Sequence, residues 1–309
     1  MAKIGLGTVQ FGMSYGNKSN EQLMAYSEVE NILNSSIAEH IDFYDTAVAY
    51  GLSEERLGQF DLHMKNPKAL ISTKIPVVER SIWSNEQAYF NLIKDYSIRS
   101  LKNLKMEKHR LLQFHQCDLE FLESPSVKNV FARLLEKRVA ENLGISIYSE
   151  AEANSAASIE SINWLQVPGN ILDRRFLTSN FLDKMKAKGI SLMCRSAFLQ
   201  GVLVEDADLP YVKRLKELRH LRKLALEAIG RIGPNTSLKS LALRYLYYNH
   251  YEDLNVVLIG VDSNDALLQN IGLIKQNTQS LSLNEISEFD EARRFLSENE
   301  LFNPGSWNR

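Results

Sequence analysis

The sequence has little cysteine, almost no net charge and no long apolar run. Cys117 and Cys194 are the only cysteines in 309 residues, and their separation fits neither a CxxC motif nor a metal-ligand spacing. A disulfide-rich scaffold is therefore excluded. No stretch approaches the ~18 apolar residues of a membrane span, and the first residues lack the pattern of a signal peptide. We therefore expect a cytoplasmic protein.

The near balance of charge also limits the partners. Thirty-eight acidic residues against thirty-six Lys and Arg give a formal net charge of -2 at pH 7. Nothing in the overall charge therefore attracts nucleic acid or an anionic membrane. Hydrophobic residues make up 44% of the chain and charged residues 24%, which is typical of a globular protein with a large core. We expect neither nucleic acid nor membrane as a partner.

Short apolar segments alternate with amphipathic stretches along the chain. The pattern predicts strands at 3–8, 41–44, 69–73, 111–114, 142–147, 164–167, 190–195 and 255–260. It predicts helices at 27–40, 86–104, 124–137, 150–158, 180–188, 211–229, 237–248 and 265–274. Such alternation implies parallel strands joined by right-handed crossovers. Eight units favour a single (β/α)8 TIM barrel, which we expect to occupy 1–309 as one domain.

An open Rossmann sheet is the alternative architecture, and its phosphate-binding motif is missing. That sheet normally carries GxGxxG between its first strand and first helix. Gly5 and Gly7 are followed here by Gln10 in place of the third glycine, and then by a long loop. In a barrel, catalytic groups lie at the C-terminal ends of the strands. A site is therefore expected at those ends.

Four chemically active side chains follow three neighbouring predicted strands. Asp45 and Tyr50 follow the second strand, Lys74 the third and His115 the fourth. A nearby ammonium lowers the pKa of a tyrosine, a carboxylate keeps that ammonium charged, and an imidazole can orient a carbonyl oxygen. Together they form a proton donor for a carbonyl or, in reverse, an acceptor from an alcohol. Because no side chain supplies a hydride, we expect a hydride-carrying cofactor.

The segment 45–58 reads DTAVAYGLSEERLG. Ser53 suits a helix N-cap and the two glutamates after it suit the first helical turn, so a helix is predicted to begin there. Nine of the fourteen positions follow the pattern DTAxxYGxSExxLG, which resembles the aldo-keto reductases. The resemblance extends over about 3–274. It implies that Tyr50 is the general acid/base, Lys74 modulates its pKa, Asp45 is the partner of Lys74, and His115 orients the carbonyl.

The same resemblance implies an extended nicotinamide dinucleotide across the barrel mouth and no metal. The positions that match its binding residues are Gly7, Thr8, Val9, Asp45, Ser146, Gln166, Arg195, Ser196, Phe198, Gln200, Gly201, Gly260, Asp262, Ser263, Gln269 and Asn270. Among them, Ser146 and Gln166 match the carboxamide site. Ser196, Phe198 and Gly201 match the pyrophosphate loop. Residues 260–263, with Gln269 and Asn270, match the adenosine site.

Three positions depart from the family pattern. Arg195 stands where many members have an aromatic residue stacked on the nicotinamide, so it adds positive charge there and alters the redox poise. Asp262 stands where members that bind the 2′-phosphate commonly have Lys or Arg. Because a carboxylate repels that phosphate and accepts from ribose hydroxyls, we expect NAD(H) in preference to NADP(H). Ile147 stands where an asparagine is usual and removes one amide contact.

The opening GTVQFG at 7–12 resembles bacterial sugar dehydrogenases and enzymes of polysaccharide biosynthesis. This implies a small-molecule carbonyl or alcohol substrate, best a sugar or nucleotide-linked sugar, and a monomer or homodimer. The alternative is an NAD(H)-binding regulatory protein that turns over little and acts through a protein partner. The intact set of four residues argues against a regulator, whereas Arg195 and Ile147 argue for it.

Several further features have a structural and a functional interpretation. The basic stretch 213–223 suggests a nucleic-acid surface, but its apolar residues recur at helical spacing and favour an outer barrel helix. Those residues are Leu215, Leu218, Leu221 and Ala225. Arg174 and Arg175 either bind an anionic substrate or form structural salt bridges, which are more frequent. Tyr15 and Trp83 are candidates to line a substrate pocket.

Overall fold

The protein folds as a closed barrel of parallel strands. The computed structural model describes residues 3–14, 23–204, 214–233, 236–250, 252–276, 278–303 and 307. Eight strands of these residues each pair with the next along the chain, and the last pairs with the first. They are β1 Lys3–Gly7, β2 Phe43–Asp45, β3 Leu70–Ile75, β4 Leu111–Phe114, β5 Leu143–Ser146, β6 Ile162–Pro168, β7 Ser191–Arg195 and β8 Val256–Gly260. The predicted (β/α)8 architecture is confirmed.

Helices connect the strands and cover the outside of the barrel. They are α1 Val9–Gly12, α2 Tyr26–Ala38, α3 Ser53–Gln59, α4 Leu62–Lys65, α5 Arg80–Trp83, α6 Glu86–Leu104, α7 Leu119–Glu123, α8 Pro125–Glu136, α9 Glu150–Ala156, α10 Ser179–Ala187, α11 Leu215–Ile232, α12 Leu238–Arg244, α13 Asn264–Gln276, α14 Leu283–Ser287 and α15 Asp290–Glu298. None of the helices described here is long and apolar enough to cross a bilayer.

The predicted elements agree with the structure at most of their ends. Helix α6 and strand β4 have the predicted bounds, and most other ends differ by one or two residues. Helix α11 begins later than the predicted 211, and residues 211–213 lie outside the described part. The predicted helix 237–248 is α12 followed by a π-helical turn, Tyr245–Asn249. In α11 the apolar stripe is buried while Lys216 and Lys223 are exposed, so the outer-helix interpretation is confirmed.

The start of α3 differs from the prediction that Ser53 is an N-cap. Leu52 occupies the cap position, and Ser53 is the first helical residue. The Ser53 hydroxyl donates to the Thr8 carbonyl oxygen at 2.9 Å and accepts from the Thr46 hydroxyl at 2.9 Å. It therefore joins the loops that follow β1 and β2. The reason is burial: a fully buried hydroxyl must find partners, and these lie in neighbouring loops.

Beyond α13 the chain adds two helices that the sequence analysis did not predict. Helix α15 packs against α11, where the His220 and Phe295 rings meet edge to face with centroids 4.7 Å apart. Leu301 and Trp307 are buried beyond it. Charged residues dominate α15, but buried Ala292 and Leu296 lie four residues apart, so the helical spacing is present in the sequence.

The barrel interior begins with an apolar floor. Side chains alternate in direction along a strand, so every second residue of each barrel strand faces inwards. The floor consists of Phe43, Leu111, Met193, Val256 and Leu258. Gly5 lies between these side chains because a Cβ there would come 2.7 Å from both Leu258 and Val256. The next inward positions, towards the C-terminal strand ends, carry the site.

Candidate active site

A polar layer lies directly above the apolar floor. The inward positions that carry polar side chains lie two residues beyond Phe43, Leu111, Met193 and half-buried Trp164, and four beyond half-buried Leu70. These side chains are Asp45, Lys74, Gln113, Gln166 and Arg195. Successive inward positions of the strands thus change from the apolar floor to a polar layer near the C-terminal strand ends.

The best-defined contact of this layer is the ion pair of Asp45 and Lys74. Lys74 Nζ lies 2.6 Å from Asp45 Oδ2 and donates to the Thr46 carbonyl oxygen at 2.9 Å, and the lysine side chain has no exposed surface. Burial lowers the pKa of Lys74 from its ordinary 10.5, the Asp45 charge opposes that change, and the Arg195 charge adds to it. The carboxylate is therefore what keeps this buried ammonium charged.

Tyr50 and His115 complete the cluster on the side of the solvent. Lys74 Nζ lies 5.1 Å from the centroid of the Tyr50 ring, and the Tyr50 and His115 ring centroids are 5.9 Å apart. Both side chains are half-buried. Burial lowers the pKa of His115 to about 3, with further lowering by the charges of Lys74 and Arg195. The imidazole is therefore neutral at neutral pH and has one N–H to donate.

The loop that carries Tyr50 is fixed by two backbones in close approach. Leu52 N donates to the Gly12 carbonyl oxygen at 3.1 Å, and Gly51 adopts φ +53°. A Cβ at Gly51 would lie 2.2 Å from the Gly12 oxygen. Glycine at position 51 therefore allows the loop of Tyr50 to contact the backbone of Gly12, which ends the GTVQFG opening.

The sequence analysis missed Gln113, which holds Asp45 from beneath. Its Nε2 donates to Ser72 Oγ at 2.5 Å and lies 3.3 Å from Asp45 Oδ1. The signal was present: Gln113 lies two residues before His115 on a strand and therefore shares its inward face. Because a glutamine side chain carries no acid-base chemistry, the sequence did not predict Gln113 as a site residue.

The two carboxamide candidates meet beside Asp45. Ser146 and Gln166 are register partners in β5 and β6, both are buried, and their side-chain oxygens are 3.4 Å apart. Gln166 Nε2 donates to Asp45 Oδ1 at 3.1 Å and to Met193 Sδ at 3.0 Å. On the other side, the N–H and hydroxyl of Thr8 each donate to the Asp45 carbonyl oxygen at 3.0 Å. Two buried polar side chains thus adjoin the cluster of Asp45, Lys74, Tyr50 and His115.

The loop after β7 has an unusual backbone. Ser196, Leu199, Gln200 and Gly201 have φ of 67°, 45°, 49° and 91°. Such conformations can turn successive N–H groups into a concavity that binds anions. The half-buried Phe198 packs on the core, and Arg222 donates to the carbonyls of Gly201 and Val204 at 3.3 and 2.5 Å. The loop is therefore held in place although its conformation is strained.

Bare backbone flanks the mouth where β1 meets β8. Gly7 and Gly260 are register partners at the C-terminal ends of these strands. Among the described residues, a Cβ on Gly260 would meet only Gln10 Oε1, at 3.8 Å. Half-buried Val9 begins α1 just beyond. Space for a ligand therefore adjoins the backbone on this side.

The predicted adenosine residues divide into accessible and buried ones. Asp262 and Ser263 are half-buried, and Ser263 Oγ accepts from the Ala266 N–H at 3.2 Å. Gln269 is exposed and accepts from Lys239. Asn270 is 1% exposed, and its Oδ1 has no partner in the described structure. The structure therefore brings the first two of these residues to the mouth and places Asn270 within the helix packing.

A carboxylate that the sequence analysis missed lies at the start of α13. Glu28 Oε1, from α2, accepts from the Asn264 N–H at 2.6 Å. At the other end of the same two helices, Lys275 pairs with Glu39. Glu28 lies 236 residues from its partner, so no local sequence pattern could reveal the contact.

Arg174 and Arg175 form structural contacts, which the sequence analysis gave as the more frequent role of such arginines. Arg175 binds both carboxylate oxygens of Asp173 at 2.8 Å, and that aspartate is buried. Arg174 donates to the Ile286 carbonyl oxygen at 2.8 Å and to Asp290 at 3.2 Å. Both guanidiniums tie the loop after β6 to the neighbouring structure.

Of the two aromatic pocket candidates, Trp83 does not line the site. Trp83 is 4% exposed and meets Phe121 edge to face with centroids 5.7 Å apart, so it belongs to the outer core. Tyr15 lies outside the described residues. Cys117 and Cys194 are free and buried, and burial raises the pKa of Cys117 to about 12. Among the residues described, no three His, Cys, Asp or Glu side chains are grouped so as to hold a metal ion.

Comparison with known proteins assigns the family. The model of the Aldo/keto reductase family matches residues 3–293, so the chain belongs to this family. The aldo-keto reductase AKR11C1 from Bacillus halodurans, in its holo form, superposes with a TM-score of 0.71 at 20% identity, covering 94% of this chain and 91% of that one. A protein from Pseudomonas aeruginosa, assigned to the aldo-keto reductases, gives 0.63 at 20% identity, covering 88% and 89%. A search among curated proteins returned no match.

Proposed function

We propose that this chain transfers a hydride between a nicotinamide cofactor and a carbonyl or alcohol substrate, with Tyr50 as the general acid/base. Membership of the family supports NAD(P)H-dependent oxidoreductase activity on carbonyl compounds. The observation that carries the assignment to residues is the contact geometry of the cluster. Lys74 is 2.6 Å from Asp45 and 5.1 Å from the Tyr50 ring, which in turn is 5.9 Å from the His115 ring.

The four side chains divide the work of proton transfer. In the reducing direction the Tyr50 phenol donates its proton to the carbonyl oxygen as the carbonyl carbon receives the hydride. The Lys74 ammonium stabilises the phenolate that remains, and Asp45 holds that ammonium charged in a buried place. His115 is neutral and donates a hydrogen bond that orients the carbonyl oxygen. A bound nicotinamide supplies the hydride, which the side chains cannot.

The residues at the mouth fit such a cofactor. Ser146 and Gln166 offer a buried donor and acceptor to the carboxamide beside the acid-base cluster. The backbone of 196–201 suits the pyrophosphate because positive-φ loops bind anions without a compensating cation. The β8 end then receives the adenosine, since β8 follows β7 around the barrel.

NAD(H) is the preferred form in this proposal. Asp262 lies just beyond β8, and Glu28 occupies the N–H of Asn264 at the start of α13. A helix N-terminus ordinarily favours an anion such as a phosphate, but here a carboxylate already fills that role. Two carboxylates near the ribose would repel a 2′-phosphate.

The substrate class in this proposal is a sugar or a nucleotide-linked sugar. Its support is the likeness of the opening at 7–12 to bacterial enzymes that act on such compounds. The half-buried positions of Tyr50 and His115 give a carbonyl access from the solvent side of the barrel.

The decisive test is the Tyr50→Phe variant. We expect wild type to oxidise NADH or NADPH in the presence of an aldose or a simple aldehyde, and the variant to lose about 100-fold or more in kcat. Tyr96→Phe removes the same hydroxyl from a half-buried tyrosine on α6 and serves as the matched control. Equal turnover by Tyr50→Phe and Tyr96→Phe would remove the phenol from the mechanism.

The regulatory alternative gives a different result in the same experiment. It is favoured by Arg195, which places a charge in the nicotinamide site, and by the apolar Ile147 beside Ser146. A regulator would bind NADH tightly, as measured by fluorescence titration, and show no Tyr50-dependent turnover of any carbonyl or alcohol.

A further inference from the structure

Arg195 brings a guanidinium into the barrel mouth. It ends β7 two residues beyond Met193, which belongs to the apolar floor, so its side chain starts on the inward face. Its terminal nitrogens donate to the Ile147 carbonyl oxygen at 3.3 Å and to Ser196 Oγ at 3.4 Å. The guanidinium carbon lies 4.5 Å from the centroid of the Tyr148 ring.

These contacts fix where the charge lies. Ile147 directly follows Ser146, one of the two carboxamide candidates, and Ser196 begins the loop with positive φ. The charge is also close enough to the acid-base cluster to lower the pKa values of both Lys74 and His115. A nicotinamide ring between the carboxamide pair and the Tyr50 phenol is therefore a neighbour of this guanidinium.

Arg195 has no direct carboxylate partner in the described structure. Its contacts there are two neutral acceptors and one aromatic ring. Glu152 accepts from the N–H groups of Tyr148 and Ser149 at 2.7 and 2.9 Å and acts, like Arg195, on the Cys117 thiol, but it forms no ion pair with the guanidinium. Within the cluster, Asp45 is already paired with Lys74 and His115 is neutral. Among the described residues, the guanidinium therefore lies in the site without a direct counter-ion.

We propose that Arg195 makes this site hold the reduced nicotinamide more tightly than the oxidised one. The inference rests on the proposed function. The oxidised ring is a cation and the reduced ring is neutral, so a guanidinium beside it that has no direct counter-ion raises the free energy of the oxidised complex alone. The bound couple is thereby shifted to a higher reduction potential. Such a site favours release of the oxidised cofactor after turnover, whereas the higher potential makes hydride transfer from the bound reduced nicotinamide less favourable.

The experiment measures binding without turnover. NADH and NAD+ are each titrated alone against the full chain, NADH by fluorescence and NAD+ by calorimetry, and the ratio of the two dissociation constants is compared among variants. Arg195→Gln and Arg195→Met remove the charge, whereas Arg195→Lys retains it. Arg110→Gln is the matched control, because Arg110 also donates to backbone carbonyls, of Lys68 and Ala69, but precedes β4 at the opposite end of the barrel.

We expect both neutral variants to lower the ratio Kd(NAD+)/Kd(NADH) by about tenfold, which corresponds to about 30 mV in the potential of a bound two-electron couple. Arg195→Lys and Arg110→Gln should retain the wild-type ratio. A ratio within about twofold of wild type in both neutral variants would overturn the inference, as would an Arg195→Lys ratio equal to theirs. Failure of wild type to bind either form would instead overturn the proposed function.

Discussion

The backbone of Gly12 lies against the carbonyl of Tyr50: a Cβ at Gly12 would be 1.7 Å from the Tyr50 oxygen and 2.3 Å from the Ser53 nitrogen. No side chain, even that of alanine, fits such a gap between two backbones. The first loop of the barrel therefore fixes the position of the proposed acid/base on the second.

Replacing Gly12 by alanine should displace the Tyr50 loop while the barrel stays folded. Because an error of about 1 Å in a reacting group can cost 100-fold, we expect kcat for carbonyl reduction to fall by about that factor. NADH affinity should change far less. Gly272→Ala is the control, since a Cβ at Gly272 in α13 would meet no described atom within 4 Å. Unchanged kcat in Gly12→Ala would show that the loop yields without moving the phenol.

Removing only one partner of the Asp45 and Lys74 ion pair should lower the free energy of unfolding substantially. Removing one partner of a buried ion pair typically costs about 3–5 kcal/mol, because the other charge stays buried and unpaired. We expect Asp45→Asn to lose that much free energy of unfolding in urea titrations. The double variant Asp45→Asn/Lys74→Met should recover most of the stability and none of the activity. A strictly additive double variant would contradict the coupling.

The surface pair of Asp61 and Lys105 is the natural comparison. Its 2.7 Å separation nearly equals that of the buried pair, but both side chains are about half exposed. Water and salt screen such a pair, so Asp61→Asn should leave the urea midpoint unchanged. Distance alone would predict equal effects, and the comparison therefore isolates the contribution of burial.

Stability should decline in mild acid because of His115. The pKa of His115 is about 3 in the folded protein, against an ordinary value of 6.5. Between these pH values the unfolded chain binds a proton at His115 and the folded chain does not. The stabilisation is fully present above about pH 6.5 and is lost as the pH falls towards about 3. The slope is at most about 1.4 kcal/mol per pH unit for one group. Urea titrations from pH 7 downwards should therefore show a shallower decline in His115→Asn.

A residual decline should persist in that variant. Burial also lowers the pKa of His109 to about 4, and this histidine lies before β4, far from the mouth. Identical slopes in wild type and His115→Asn would mean that the imidazole accepts a proton in the folded state.

The barrel could be predicted because its evidence is repeated along the chain. Each strand is a short apolar run and each main helix carries its own stripe, as in 86–104, so one misplaced end leaves the architecture unchanged. The exceptions are instructive. Ser53 has the sequence of an N-cap, but burial turned its hydroxyl towards Thr8. Helix α15 has buried Ala292 and Leu296 at helical spacing among many charged residues, so its sequence does carry the pattern of an amphipathic helix.

The candidate site divides in the same way. Asp45 ends β2, Lys74 is the second-last residue of β3 and His115 follows β4. The barrel rule alone brings such residues together. Gln113 follows from the period of two once His115 is known. The Gly12 contact and the Glu28 contact join segments far apart in sequence, so they emerge only in three dimensions.

The cofactor preference gives the last prediction. Asp262→Arg should improve NADPH affinity because it replaces a repelling charge with one that pairs with a phosphate. Glu28→Gln should add to this effect by freeing the start of α13, which favours an anion. Adenosine 2′-monophosphate, titrated by calorimetry, tests the adenosine end without the nicotinamide. We expect the double variant to bind it about tenfold or more tightly than wild type.

Glu39→Gln is the control for this prediction, because it removes the same charge from α2 where that helix contacts the other end of α13. The two contacts are 11 residues apart along α2, about 16 Å of helix, so Glu39→Gln should leave the cofactor affinities unchanged. If wild type already binds NADPH more tightly than NADH, Asp262 does not face the ribose. If Glu28→Gln and Glu39→Gln shift the affinity for adenosine 2′-monophosphate equally, the effect belongs to overall charge, and α13 begins too far from the phosphate.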